Sequence, residues 1–98
     1  MFTKNRAKKR VRTEQFRCTV FVSTNNKVCH TVDVFSRYAH NLHDFLFLIH
    51  YNMEKELGRK ILWTDISVKK IELLELGSWK TVIPNEDNIA NIKMKNPR

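Results

Sequence analysis

The sequence predicts a two-layer α+β domain in the order β-β-α-β-β, one helix packed on a small antiparallel sheet, with a flexible basic N-terminal arm. Three observations lead there. Two adjacent segments alternate apolar and polar residues, one long segment repeats its apolar residues at helical spacing, and the excess positive charge lies at the two ends. At 98 residues the chain supports one domain, and 42% apolar residues suffice for a core of modest size.

Residues 1–13 hold six basic side chains, Lys4, Arg6, Lys8, Lys9, Arg10 and Arg12, no acidic one, and little apolar surface beyond Phe2 and Val11. Such a segment cannot bury enough surface to offset its ordering entropy and is expected as a mobile arm. The domain is placed at 14–92, and Lys93, Lys95 and Arg98 fall in a basic tail over 93–98.

From Phe16 the pattern alternates. Phe16, Cys18, Val20 and Val22 share one face, and Arg17, Thr19, Phe21 and Ser23 the other. After a polar Thr24–Lys27 break, Val28, His30, Val32 and Val34 alternate with Cys29, Thr31, Asp33 and Phe35, which is a hairpin signature. A one-residue slip would turn one strand inside out. A two-residue Asn25-Asn26 loop sets Cys18, Val20 and Val22 against Asp33, Thr31 and Cys29. A three-residue loop, Thr24 to Asn26, pairs Val22 with Val28, Cys18 with Val32 and Phe16 with Val34, and faces Arg17 with Asp33. The second register matches faces and charges better, with an Asn in the left-handed position.

Ser36 then caps a helix of about 20 residues in which Leu42, Phe45, Leu46, Ile49, Met53 and Leu57 form the apolar stripe, joined by Tyr38, and Gly58 stops it. Beyond it, Ile66 and Val68 alternate, as do Ile71 and Leu73, with Lys69-Lys70 between them like a bulge. A tight turn with Gly77 first leads to a returning strand from Trp79 to Ile83, ended by Pro84. The β-branched residues and this turn favour strands over a helix across 67–76. Residues 85–92 suit a short closing turn of helix.

The net charge of +8 resides in the ends, because residues 18–88 carry eight basic and nine acidic side chains. Lys and Arg on a flexible segment can follow a phosphate backbone, so the arm, with Arg17, points to nucleic acid. Phe21 and Phe35, expected on the sheet face away from the helix beside Arg17, suit base stacking, or else packing under a loop or in a homodimer. RNA is favoured over DNA, since no recognition-helix motif appears and an open sheet suits unpaired bases. The competing expectation is a protein-interaction module, an inhibitor or assembly subunit, for which the arm only steers encounter. The abundance of Asn and Lys with few Ala and Gly fits an AT-rich or phage-like genome, where such accessory proteins are common.

Catalytic and metal chemistry are not expected. His43, His50 and Glu54 share a helix flank beside the core stripe, but the two histidines are seven residues apart, about 10 Å along the axis, too far to share one ion. A hairpin followed by His40-Asn41-x-His43 superficially resembles the ββα-metal nucleases of the His-Asn-His class. Their general-base histidine near the end of the first strand has no counterpart in Val22-Ser23-Thr24. With only Gly58 and Gly77, neither a phosphate-cradling loop nor a dinucleotide fold can be built, and no cofactor is expected. Cys18 and Cys29 form no C-x-x-C pair or disulfide framework. The longest apolar run, Phe45 to Ile49, falls far short of the roughly 18 residues that span a bilayer. A cytoplasmic location follows, or a nuclear one if Lys8–Arg12 serves as an address.

Overall fold

The computed structural model describes residues 12–96. These form a small α+β domain: an open antiparallel sheet of five strands with two helices. Strands β1 (Glu14–Thr24) and β2 (Lys27–Ala39) lead to helix α1 (Leu42–Leu57). A single 3-10 turn (Trp63–Asp65) then enters β3 (Ile66–Glu75), followed by β4 (Ser78–Ile83), the two-residue β5 (Asp87–Asn88) and α2 (Ile89–Lys95). The strands lie in the order β2-β1-β3-β4, and β5 pairs with β3 at Ser67 and Val68, beyond the stretch β4 covers.

Strand β1 alternates as its sequence requires, with Phe16, Cys18, Val20 and Val22 all buried toward the helix. The apolar stripe of α1 meets them through Phe45, Leu46, Ile49 and Met53, with Leu42 and Leu57 at the margin. Each fully buried side chain of this size contributes about 1.5–3 kcal/mol. Gly58, at φ 68°, ends α1 in the left-handed conformation, and its N–H returns to the Glu54 carbonyl at 2.8 Å. Segment 66–75 is strand, and Lys69-Lys70 form a bulge opposite Thr19.

Several expectations are corrected. The helix starts later: Asn41, not Ser36, is the cap, its Oδ1 accepting the Asp44 N–H at 2.9 Å. Ser36 and Tyr38 continue β2, opposite Arg17 and Gln15, so Tyr38 stands on the sheet rather than in the helical stripe. The β1–β2 loop has two residues, Asn25 and Asn26 at φ 55° and 64°, a turn with both central residues left-handed. Two bulges in β2 then each insert one residue, near Cys29 and at Asp33-Val34. They replace the expected register with Val22 opposite His30, Val20 opposite Val32 and Cys18 opposite Phe35. The second bulge reverses the parity of the strand: Phe35 turns inward, 3% exposed, and Val34 turns out, 71% exposed. Burying the larger ring outweighs an unbroken ladder. Arg17 consequently faces Glu72 of β3 instead of Asp33. Finally, α2 runs through Lys95, so Lys93 and Lys95 sit on a helix where a tail was expected.

The β3–β4 turn is Leu76-Gly77 rather than one with Gly first, and Leu76 is fully exposed at φ 51°. The left-handed conformation costs an L-residue about 1–2 kcal/mol, and Asn tolerates it best. Leu76→Asn is therefore expected to raise stability by about 1 kcal/mol, read as a higher urea midpoint. An unchanged or lower midpoint would show that Leu76 has a contact worth its strain.

Candidate nucleic-acid interface

The roots of the two basic ends meet at the start of α1. His40 Nδ1 lies 3.3 Å from the Arg12 carbonyl, and His43 Nε2 is hydrogen-bonded to the Asn96 carbonyl. A carbonyl only accepts, so each of these ring nitrogens carries the proton. The chain enters and leaves the described fold beside two histidines three residues apart. Of the arm residues singled out above, Arg12 is described and exposed, whereas Lys4, Arg6, Lys8, Lys9 and Arg10 lie outside the described residues.

Arg17 stands on the outer sheet face. Its Nε donates to Glu72 Oε1 at 2.8 Å, and its guanidinium lies over the Trp79 ring, 4.0 Å from the centroid. This hydrogen bond, then the Arg17 and Lys70 charges, hold the Glu72 carboxyl below its ordinary range against the opposing effect of desolvation. Phe21 is half-buried on the same face, opposite Thr31 and Ser67, four residues and so about 13 Å from Arg17. The two do not form one site, and Phe35 has left this face for the core.

The bulges flanking Thr19 open a groove of about 620 Å³ on this face. Its cations Arg17, Lys69 and Lys70 are balanced by Asp33, Glu72 and Glu86. A groove with matched charge does not gather a polyanion. Cys18 borders it, but burial pushes its thiol up to about 12, so it stays protonated and is a poor nucleophile.

The opposite side of the molecule carries a cluster that sequence reasoning missed. Trp63 stacks on His50, with centroids 4.4 Å apart, and meets Phe47 edge-on at 5.2 Å. Lys93 Nζ lies 4.7 Å from the centroids of both Phe47 and Trp63. His50 Nε2 lies 2.8 Å from the Ile61 carbonyl and 3.3 Å from Glu54 Oε2, which accepts the Ile61 N–H at 2.9 Å. That last bond, with His50 and Lys60 nearby, lowers the Glu54 pKa despite desolvation. The residues come from α1, the 3-10 turn and α2, so no local spacing connects them. Within the cluster, helical periodicity already places His50 and Glu54 on one flank of α1, and Phe47 shares the polar face with Tyr51, four residues on. Among the described residues no three His, Cys, Asp or Glu side chains are grouped to hold a metal.

Asp87 is lowered too, by the Asn91 amide first and then by Lys95 and the Asn88 N–H. Carboxyls lowered on folding stabilise above their unfolded pKa of about 4 and lose that contribution as pH falls through the folded values. The urea midpoint is expected to drop between about pH 5 and pH 2, and less so in a Glu54→Gln, Glu72→Gln, Asp87→Asn variant. An equal drop in both proteins would assign the acid sensitivity to other groups.

Comparison with known proteins finds no matching family, no similar curated protein and no similar solved structure. No described helix is long and apolar enough to cross a membrane.

Proposed function

We propose that this chain is a small non-enzymatic nucleic-acid-binding protein of the cell interior, RNA favoured over DNA, that grips phosphates through its basic N-terminal arm. The observation that carries the reading is the convergence of Arg12 and Asn96 on His40 and His43, which gives both basic ends one root. All ten carboxylates lie between Glu14 and Asp87, so the arm itself contains none to neutralise it. Arg17, already paired with Glu72, is a secondary contact that can present its guanidinium plane to a base.

The test is a titration of labelled single-stranded RNA and of duplex DNA with the full chain across salt concentrations. Six neutralised phosphates imply a log–log slope of about −5 on duplex and about −4 on single strands. No binding to either at about 50 mM salt, or binding indifferent to salt, would reject the reading. A protein-interaction role is the second reading, favoured by β2, a 13-residue edge strand exposing Val28, Val34 and Tyr38. It predicts a partner or a homodimer and no salt-dependent nucleic-acid binding.

A further inference from the structure

We propose that the outward flank of α1, bordered by α2 and the Trp63 turn, is a stacking site for unpaired nucleotides of a single-stranded nucleic acid. The inference rests on the nucleic-acid reading above and assigns the bases a surface separate from the phosphate-binding ends.

Phe47 and Tyr51 project from the solvent side of α1, 47% and 61% exposed, while the core stripe occupies the other side. They are one turn apart, about 6 Å along the helix axis, so two exposed rings stand in line. Rings this exposed on a small domain, with Met94 76% exposed beside Lys93, make an apolar surface that water solvates poorly. Two lysines lie against its rings. Lys93 rests over Phe47 and Trp63, and Lys55 lies 6.0 Å from the Tyr51 centroid. Among the described residues neither ammonium has a carboxylate within 4 Å. Of the two acids on this flank, Glu54 is engaged by the Ile61 N–H and His50, and Asp44 lies in the first turn of α1, beside the α1 N-terminus.

A lysine held only by ring faces is weakly retained at an exposed site and passes readily to a phosphate oxygen, a stronger charge-assisted partner. A base can then take the ring face the ammonium leaves. The surface is also continuous with the proposed phosphate-binding end: His43, bonded to the Asn96 carbonyl, is one turn before Phe47. A strand held by the basic ends can run directly onto these rings. The outer sheet face is less suited, since Arg17 covers Trp79 and Phe21 is half-buried beside a charge-balanced groove. An acidic protein segment shares the sign of the ligand. Open rings on a convex helix nonetheless fit flat bases better than a docked helix, which needs a groove.

The test uses the full chain, fluorescein-labelled oligouridylate about 12 nucleotides long, and a DNA duplex of the same length. Phe47→Leu with Tyr51→Leu keeps apolar contact with Trp63 but removes both rings. It is expected to weaken oligouridylate binding about 10–100-fold, leaving duplex binding and the salt slope unchanged. Lys93→Gln is expected to lower the slope by about one. In a Trp79→Phe protein, where Trp63 is the only tryptophan, oligouridylate should quench the emission. Wild-type affinity in the Phe47/Tyr51 variant, or equal losses on single strand and duplex, would overturn the site while leaving the phosphate reading intact. Displacement by polyglutamate as effective as by unlabelled oligouridylate would assign the surface to acidic polypeptides and overturn it as well. If the unmodified chain binds no nucleic acid at low salt, the functional reading itself fails and the site falls with it.

Discussion

Replacing Lys4, Arg6, Lys8, Lys9, Arg10 and Arg12 together by Gln is expected to remove most of the salt dependence of nucleic-acid binding. The formal net charge falls from +8 to +2, and nine of the remaining 12 basic residues lie between Glu14 and Asp87, where the ten carboxylates are. Each phosphate contact contributes about 0.9 to the log–log slope on duplex, so six contacts account for nearly all of a slope of about −5. Between about 50 and 200 mM salt the unmodified chain should lose about 10³-fold in affinity, and the six-fold variant far less. At low salt the variant should bind more weakly by several orders of magnitude. Neutralising Lys69 and Lys70 instead should have little effect, because their groove carries as many carboxylates as cations. If those two substitutions flattened the slope and the six did not, binding would belong to the sheet face.

Phe45→Ala is expected to be the most destabilising single substitution of the helix. The ring is fully buried, stacks on Phe16 at 5.1 Å and meets Phe35 at 5.8 Å, and so joins α1 to both β1 and β2. Truncating a buried phenylalanine costs about 3–5 kcal/mol through lost transfer energy and the cavity left behind. Domains of this size have total stabilities of about 5–15 kcal/mol, so the variant should be largely unfolded by modest urea. Phe47→Ala, on the exposed side of the same helix, should move the midpoint only slightly. Equal midpoints for the two variants would mean that Phe45 is not the keystone of the core.

Much of the fold was legible where a single element decides its own fate. The alternation in β1, the stripe from Leu42 to Leu57, the Gly58 stop and the Lys69-Lys70 bulge each depend on residues within a few positions of one another. The errors arose where a segment's conformation depends on a partner. Ser36 has the chemistry of a helix cap, but its backbone pairs across to Arg17, and the strand prevails as far as Ala39. Leu76 is a poor residue for the turn it occupies, yet the β3–β4 register holds it there.

The site divides in the same way. Composition alone locates the excess positive charge in the two ends, because charge is additive along the chain and needs no partner. Periodicity alone puts His43, His50 and Glu54 on one flank of α1 beside the core stripe. Tertiary structure alone decided that Arg12 and Asn96 end beside His40 and His43, that Phe35 is core, that Arg17 is matched by Glu72, and that Lys93 lies over Phe47 and Trp63. Each of these joins residues distant in sequence, and their approach is set by the bulges of β2 and the packing of α2, which no local pattern encodes.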